Sequence, residues 1–216
     1  MKVLPKNIFV TGIDTNVGKT VVSAILAEAL QADYWKPVQS GNIEGTDAAT
    51  IHSLLSNTKT KIHPEAYNFK APTVPSYAAE MEGETMDMQY IVSKLPDVPN
   101  RLIVEGAGGL MVHLRRDFMV VDLIGLLKMP VVLVSKNYLG SINHTLLSIE
   151  AMKTRGIEII GIIYNGDRSE HMRELVWQST GVPEIGNVEA GEQLTKEFIR
   201  EQAALLYSSL QKNFVI

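Results

Sequence analysis

The sequence contains no cysteine, no excess of basic residues and no long apolar run. Without cysteine the chain cannot form a disulfide framework, a thiolate metal site or a cysteine nucleophile. The longest apolar run, from about Met129 to Val134, is far shorter than the ~20 residues that a membrane-spanning helix needs. The first residues also lack the apolar stretch of a secretory signal peptide, so we expect a cytoplasmic protein with no membrane partner.

The charge balance of the chain is slightly acidic. Its 216 residues include 20 lysines and arginines against 24 aspartates and glutamates, which gives a formal net charge of −4. Such a balance does not favour binding to nucleic acid or to an anionic membrane, and we expect neither as a partner. The length is close to that of one domain, so residues 1–216 are predicted to form a single domain with a sizeable core.

Short runs rich in valine and isoleucine alternate with amphipathic stretches along the chain. The predicted strands are Ile8–Val10, Asp33–Trp35, Leu102–Val104, Val131–Val134 and Ile159–Ile163. The predicted helices are Lys19–Gln31, Thr46–Leu55, Ile142–Arg155 with Gly156 as a left-handed end, and Gly191–Gln211. This alternation predicts a doubly wound α/β fold with a mostly parallel sheet flanked by helices, and ligands beyond the carboxyl ends of the strands. Residues 56–85 and 106–118 lack this regularity and are predicted to be functional loops.

The first predicted strand leads into a loop that ends in Gly18-Lys19-Thr20 and opens a helix. In a phosphate-binding loop the glycine lets the backbone approach phosphate, the lysine neutralises its charge, and the threonine hydroxyl suits Mg²⁺. Five residues separate Gly12 from Gly18, one more than is usual, and Ile13 stands where the motif expects glycine. Because the strand and the amphipathic helix are both present, we favour nucleotide binding over an incidental strand–turn–helix.

Other strand ends carry candidate charged residues. Glu105 follows the strand Leu102–Val104 and precedes a glycine-rich turn, which suits either a magnesium ligand beside phosphates or a strand-end acid with a flexible turn. Lys36 follows the short second strand and is held by the stiff turn of Pro37, although a lone lysine is most often a solvated surface charge. Asp47 is either a helix-capping residue or a second metal carboxylate.

Taken in order, these segments resemble the dethiobiotin synthetase family, which has a P-loop NTPase fold. The resemblance covers nearly the whole chain, from Phe9 to the C-terminal helix. Its motifs are Gly-x-Asp-Thr-x-Val-Gly-Lys-Thr at 12–20, Lys-Pro-Val-x-Ser-Gly at 36–41, Asp47, Pro-Thr-x-Pro at 72–75, Glu-Gly-Ala-Gly-Gly at 105–109 and Leu-Gly-x-Ile-Asn at 139–143. Each motif alone is weak, whereas the ordered set is highly specific.

The resemblance implies an ATP-dependent cyclo-ligase of biotin synthesis. The family converts 7,8-diaminononanoate (7,8-diaminopelargonate), CO₂ and MgATP into dethiobiotin, ADP and phosphate. A substrate amine first takes up CO₂ as a carbamate, ATP phosphorylates the carbamate to a carbamic–phosphoric anhydride, and the second amine closes the ureido ring. In this interpretation ATP is a co-substrate and Mg²⁺ is the cofactor.

The resemblance also implies roles for particular residues. Lys36 and Lys19 would be catalytic, and Mg²⁺ would be held by Thr20, Asp47 and Glu105. The nucleotide would contact Thr15, Asn16, Val17, Gly18, Lys19, Thr20, Val21, Glu105, Gly106, Ala107, Gly108 and the base-recognising Asn165. The diamine would contact Ser40 and Thr15 and, in the neighbouring subunit of a homodimer, Leu139, Gly140 and Asn143. Free N–H groups at that helix start would bind its distant carboxylate, which makes the active site intersubunit.

The sequence departs from the family pattern near the adenine site. Asn165 is followed by Gly166 where many members carry aspartate, and residues 186–190 replace a proline-containing turn. Asn16 stands where some members carry glutamate, so the resemblance carries over only its backbone role. These differences predict a looser or differently enforced nucleotide preference.

Three other functions fit parts of this pattern. A switch-type ATPase of the partitioning or septum-positioning kind shares the fold but typically carries an extra lysine near the start of the loop, where this chain has Asp14 and Thr15. An amidoligase usually comes fused to a glutaminase with a cysteine nucleophile, and this chain has no cysteine. A nucleotide-binding module without catalysis leaves Lys36 and Glu105 unexplained.

Overall fold

The computed structural model describes residues 2–167, 169–189, 191 and 193–216. Its strands are β1 (Lys2–Val3), β2 (Asn7–Gly12), β3 (Asp33–Trp35), β4 (Val38–Ser40), β5 (Ile62–His63), β6 (Tyr67–Phe69), β7 (Leu102–Gly109), β8 (His113–Arg115), β9 (Phe118–Met119), β10 (Val131–Lys136), β11 (Ile159–Asn165), β12 (Glu184–Val188) and β13 (Phe214–Val215). Its helices are α1 (Lys19–Leu30), α2 (Asp47–Leu54), α3 (Pro75–Met81), α4 (Met88–Ser93), α5 (Val120–Leu127), α6 (Ser141–Thr154), α7 (Glu170–Thr180) and α8 (Lys196–Asn213).

The main sheet has the strand order β12-β11-β10-β2-β7-β3-β5, and every neighbouring pair in it is parallel. The valine, isoleucine and leucine side chains of β2, β7 and β10 are almost completely buried. Strands of a parallel sheet must be apolar on both faces because helices cover both. Helix α1 packs against α8 and α2, and α6 packs against α7. The predicted doubly wound α/β fold is therefore confirmed. Within the described ranges, no helix is long and apolar enough to span a membrane.

Helix ends agree with the sequence signals at two places. Thr46 caps α2, because its hydroxyl accepts a hydrogen bond from the Ala49 N–H at 3.1 Å. Gly156, just after α6, has the left-handed φ of +66° that suits a helix end. Helix α1 ends one residue before its predicted end, and α6 both begins and ends one residue earlier than predicted.

The C-terminal helix does not begin at Gly191 as predicted. It begins at Lys196, because the Thr195 hydroxyl accepts a hydrogen bond from the Phe198 N–H and so caps the helix there. Its last residue is Asn213. Residues 186–188, which stand where the family pattern has a proline-containing turn, form the end of β12, and Ala190 lies outside the described residues.

The segments predicted as loops contain regular structure. Strand β7 continues to Gly109, because Glu105 pairs with Val10 and Gly109 pairs with Gly12 of β2. Glu105 therefore lies within a strand and not after it. The rest of 106–118 forms most of the antiparallel pair β8–β9, and 56–85 contains β5, β6 and α3. The glycine-rich stretch of β7 passes directly beside the phosphate loop, which places its residues in the site described next.

Candidate active site

The loop between β2 and α1 turns sharply onto the start of the helix. Asn16 and Gly18 both have left-handed backbone conformations, with φ angles of 60° and 94°. Asp14 Oδ1 accepts a hydrogen bond from the Thr15 N–H at 2.7 Å, and the Asp14 carbonyl accepts one from Lys19 Nζ at 3.1 Å. The lysine therefore reaches back across its own loop, which is the arrangement that phosphate binding requires.

Gly18 is also confined by a neighbouring strand. A Cβ atom at this position would overlap Nδ2 of Asn165, the last residue of β11. The same Nδ2 donates a hydrogen bond to the Val17 carbonyl at 2.9 Å. Asn165, predicted to recognise the base, thus lies against the backbone of the phosphate loop. Only glycine fits at position 18 without displacing this amide.

Oxygen-bearing side chains from three elements meet at the start of α1. The Thr20 hydroxyl lies 2.8 Å from both Asp47 Oδ1 and Glu105 Oε1. Nζ of Lys36 lies 2.7 Å from Asp47 Oδ2 and 3.2 Å from Glu105 Oε1. The structure therefore brings Lys36 together with all three predicted metal ligands.

Sheet register and helix capping position this cluster. Trp35 of β3 pairs with Val104 of β7. Lys36 and Glu105 are the next residues after this pair and therefore lie side by side. Because Thr46 supplies the cap of α2, the Asp47 carboxylate contacts Lys36 instead. Of the two roles that the sequence left open for Asp47, the side-chain helix cap is wrong.

Burial and charge act in opposite directions on the pKa values of this cluster. Burial alone would lower the pKa of Lys36, but Glu105 and Asp47 together raise it above its ordinary value. Burial would raise the pKa of Asp47, but Lys36 holds it below its usual range. Both groups therefore remain charged and form a partly buried ion pair. The pKa of Lys19 is lowered to about 8, because burial outweighs the attraction of Glu105.

These groups line one cavity of about 880 Å³. The predicted site residues that line it are Thr15, Asn16, Gly18, Lys19, Thr20, Lys36, Ser40, Asp47, Glu105, Ala107 and Gly108. Its other walls come from Gln39, residues 72–75 and Val112. Four predicted nucleotide contacts in the described part of the chain lie outside these walls, namely Val17, Val21, Gly106 and Asn165. Two of them contact residues of the site by hydrogen bonds. The Gly106 carbonyl accepts one from Lys36 Nζ at 3.5 Å, and Asn165 donates one to the Val17 carbonyl of the phosphate loop.

Gln39 and Tyr34 belong to the site but were not predicted. The Gln39 side chain accepts a hydrogen bond from the Asp47 N–H at 3.2 Å and donates to the Ser40 carbonyl at 3.1 Å. The hydroxyl of Tyr34 donates to Glu105 Oε2 at 2.9 Å. Tyr34 has a sequence signal, since it lies two positions before Lys36 and alternate residues of a strand share a face. Gln39 occupies the unspecified position of the 36–41 motif, and nothing in the sequence distinguishes it from other polar residues.

The predicted carboxylate-binding segment lies apart from this cavity. Leu139 is fully exposed, and Gly140, with φ +99°, directly precedes α6. The same chain's 880 Å³ cavity is not lined by Leu139, Gly140 or Asn143, all of them described residues. The next residue, His144, instead lines a second cavity of about 710 Å³ whose walls include Ile13, Leu110, Met111, Val112, Leu147 and Ala151. Val112 borders both cavities, so the two lie side by side.

The parallel sheet, the glycine loop that opens α1 and the adjoining cluster of lysines, hydroxyl and carboxylates define a nucleotide-binding protein of the P-loop class. A family model described as an AAA domain matches residues 6–198. Proteins named ATP-dependent dethiobiotin synthetase, from Christiangramia forsetii and Cytophaga hutchinsonii, are 44% and 46% identical to this chain. These matches cover 93% and 94% of this chain and 95% and 98% of those proteins. The chain belongs to the ATP-dependent dethiobiotin synthetase family.

Solved structures with a similar backbone are much more distant in sequence. The septum site-determining protein MinD from Pyrococcus horikoshii, complexed with Mg-ADP, matches with a TM-score of 0.63 at 14% identity over 97% of this chain and 96% of its own. A ParA family ATPase from Chlorobium tepidum matches with a TM-score of 0.58 at 15% identity over 96% of this chain and 91% of its own. At this identity the likeness shows the fold alone. The alternative of a switch-type ATPase is not favoured, because the relatives at 44% and 46% identity are named dethiobiotin synthetases.

Proposed function

We propose that this chain carboxylates 7,8-diaminononanoate with CO₂ and uses ATP to close the ureido ring of dethiobiotin. The observation that carries this proposal is the meeting of Lys19 and Lys36 in one cavity with Thr20, Asp47 and Glu105. A carbamate and the phosphates of ATP are both anionic, so their reaction requires concentrated positive charge in a site with little water. A phosphate loop alone would serve a switch ATPase equally well, and Lys36 is the residue that such a function leaves unexplained.

In the proposed reaction, three steps in order transfer one oxygen atom of CO₂ to the released phosphate. One amine of the substrate attacks CO₂ and loses a proton, which gives a carbamate. A carbamate oxygen then attacks the γ-phosphorus of ATP and ADP leaves, which gives a carbamic–phosphoric anhydride. The second amine attacks the anhydride carbon, its proton is lost, and phosphate leaves with one oxygen that came from CO₂.

The loop that opens α1 would hold the nucleotide. Backbone N–H groups from Thr15 to Val21 would bind the phosphates, and Lys19 would neutralise the transferred group. Lys19 is only 7% exposed, so its charge acts through a medium of low dielectric constant. Residues 105–108 and Asn165 would complete the nucleotide site from the two neighbouring strand ends.

The residues around Thr20 fit a magnesium ion. The Thr20 hydroxyl has one proton to donate, yet it lies 2.8 Å from an oxygen of Asp47 and from an oxygen of Glu105. One of these close oxygen–oxygen approaches therefore has no proton between its atoms, and a cation held by all three groups would satisfy it. The Lys36 ammonium already lies on the same two carboxylates as a cation of the protein's own. When bound, magnesium would offset the negative charge of the phosphoryl oxygens.

Lys36 and the wall of the cavity would act on the diamine. The Lys36 ammonium would orient the carbamate and neutralise charge as the anhydride forms, while Ser40 and Thr15 would contact the substrate. Gly41 packs closely against Pro72, which brings the 72–75 segment over this end of the cavity. Residues 72–75 would thereby exclude water from the anhydride, which water would otherwise hydrolyse.

A homodimer would complete the site. Leu139, Gly140 and Asn143 do not line their own chain's cavity, whereas Met111 and Leu147 of the adjacent cavity are 46% and 60% exposed. Two copies that meet across this apolar surface about a twofold axis would cover these side chains. The start of α6 in one copy would then bind the substrate carboxylate in the cavity of the other.

Phosphate release from MgATP tests the proposed function. We expect rapid release only when both 7,8-diaminononanoate and bicarbonate are present, with dethiobiotin formed in equal amount. Nonanoate in place of the diamine is the matched control, since it keeps the nine-carbon chain and the carboxylate but lacks the reacting amines. A steady rate of phosphate release that does not depend on the diamine would contradict the proposal and favour a switch ATPase.

A further inference from the structure

Among the described residues, the buried side chain of Tyr34 has one hydrogen-bond partner, the carboxylate of Glu105. The Tyr34 side chain is 0% exposed, and its hydroxyl donates to Glu105 Oε2 at 2.9 Å. Glu105 itself is 1% exposed. A carboxylate oxygen this deeply buried needs a hydrogen-bond donor, because an unpaired one loses its solvation without compensation.

The two oxygens of Glu105 have different partners. Oε1 faces the cluster, where it lies 2.8 Å from the Thr20 hydroxyl and 3.2 Å from Lys36 Nζ. Oε2 faces away from that cluster toward Tyr34. The phenol therefore fixes the rotation of the carboxyl group and presents a single oxygen to the proposed metal site.

The strand arrangement makes this contact specific. Tyr34 pairs with Ile103 of β7, two positions before Glu105, and Lys36 lies two positions after Tyr34. Alternate residues of neighbouring strands share a face, so Tyr34 and Lys36 both reach Glu105 from the same side. One short segment of chain thus supplies a neutral donor to one oxygen and a cation to the other.

We infer that Tyr34 is a positioning residue that orients Glu105 for magnesium. It does not line the cavity that would hold nucleotide and diamine, so it would act only through the carboxylate. Donors that orient a metal-binding carboxylate typically change metal affinity by about 10- to 100-fold when they are removed. The inference rests on the magnesium site of the proposed function, but it needs neither the diamine nor CO₂ to be correct.

The test compares ADP binding with and without metal in Tyr34→Phe, which keeps the aromatic ring and removes one oxygen. Calorimetry gives the ADP dissociation constant in EDTA and in excess magnesium, and the ratio of the two measures how strongly magnesium tightens binding. We expect this ratio to fall at least about tenfold relative to the wild type. The constant in EDTA should stay within about twofold, because the phosphate loop is untouched.

Tyr67→Phe is the matched control. The Tyr67 hydroxyl also makes a hydrogen bond, which it accepts from the Asp87 N–H at 2.9 Å, but it does not line the cavity described above. This variant should keep the wild-type ratio. Adding Tyr34→Phe to Glu105→Gln should cause no further loss of magnesium response, because the positioned group is already gone.

Three results would overturn the inference. A Tyr34→Phe protein with the wild-type ratio would show that Glu105 needs no positioning. A variant that loses ADP binding in EDTA as well would show a general structural role. If the ADP affinity of the wild-type protein does not depend on magnesium, the inference and the proposed magnesium site are both overturned. The first two results leave the proposed function intact.

Discussion

Nζ of Lys36 lies 2.7 Å from Oδ2 of Asp47, and the Lys36 side chain is buried while that of Asp47 is partly exposed to the cavity. The same ammonium lies 3.2 Å from Glu105, so one lysine serves two carboxylates. A partly buried ion pair of this kind seldom contributes much net stability, because removing the lysine charge from water is costly. Its presence where β3 ends, α2 begins and β7 passes the phosphate loop is best explained by chemistry.

Replacing Lys36 with methionine should separate turnover from nucleotide binding. Lys36→Met keeps most of the side-chain volume and removes the charge that we assign to the reacting carbamate. We expect dethiobiotin formation to fall by about 10²- to 10³-fold, the usual effect of losing one preorganised charge-stabilising group. The ADP dissociation constant, measured by calorimetry, should change by only a few-fold. Lys19→Ala should instead weaken both nucleotide binding and turnover.

Lys61→Met is the control for this experiment, because it removes an exposed lysine near the edge of the same sheet. It should behave as the wild type in both assays. Normal turnover in Lys36→Met would contradict the assigned role of Lys36.

The contact between Gly18 and Asn165 predicts a strong effect of a small substitution. Gly18→Ala places a methyl group on Nδ2 of Asn165 at a backbone φ of +94°. We expect ADP affinity to fall at least about tenfold as the loop shifts. Gly83→Ala is the matched control, since Gly83 also has a positive φ, of +73°, but no atom lies within 4 Å of its added Cβ. Equal ADP affinity in the two variants would show that the loop tolerates the displacement.

The proposed dimer surface can be tested with one charge. Leu147→Glu puts a carboxylate into the apolar face that two copies would share, and burying it unpaired would dissociate the dimer. We expect a monomer by sedimentation, retained ADP binding and loss of dethiobiotin formation. Leu205→Glu is the control, because Leu205 on α8 is exposed to nearly the same extent, at 58% against 60%. A fully active monomer would contradict the intersubunit site.

A pH dependence of stability is predicted at Glu28 of α1. Burial alone would raise the pKa of Glu28, but hydrogen bonds from Ser56 and Asn57 lower it below its ordinary value. The folded state therefore favours the ionised form. This contribution to stability is complete above the unfolded pKa and is lost as the pH falls through the lower, folded one.

Glu28→Gln should therefore lose stability near neutral pH and approach the wild type in acid. Urea unfolding at several pH values measures the difference directly. Glu201→Gln, an exposed change on α8, should leave the pH profile unchanged. A constant difference between Glu28→Gln and the wild type from neutral to acidic pH would contradict the assignment.

The parts of the fold and site that depend on local sequence were predictable. The strand before Gly12, the turn through Gly18 and the helix from Lys19 are specified by adjacent residues, and the structure has all three. Thr46 likewise marks the start of α2 through its own hydroxyl. Such signals need no knowledge of the rest of the chain.

The parts that depend on distant pairing were not predictable. Glycines at 106, 108 and 109 argue against a strand, yet β7 continues through them because β2 supplies its hydrogen-bond partners. The role of Tyr34 requires the register between β3 and β7, and the role of Gln39 requires the position of α2. Alternation places Tyr34 on the same face as Lys36, but the contact of Tyr34 with Glu105 and that of Gln39 with Asp47 cannot be obtained from periodicity alone.

The most direct test of the proposed reaction follows one oxygen atom. In a short incubation with freshly supplied C¹⁸O₂, the diamine and unlabelled ATP in ordinary water, mass spectrometry measures label in the released phosphate. If a carbamate oxygen attacks the γ-phosphorus, phosphate should carry one ¹⁸O per dethiobiotin formed, apart from label lost by exchange of CO₂ with water. Phosphate that carries no label, and forms equally well without the diamine, would show that water attacks ATP and would contradict the proposed function.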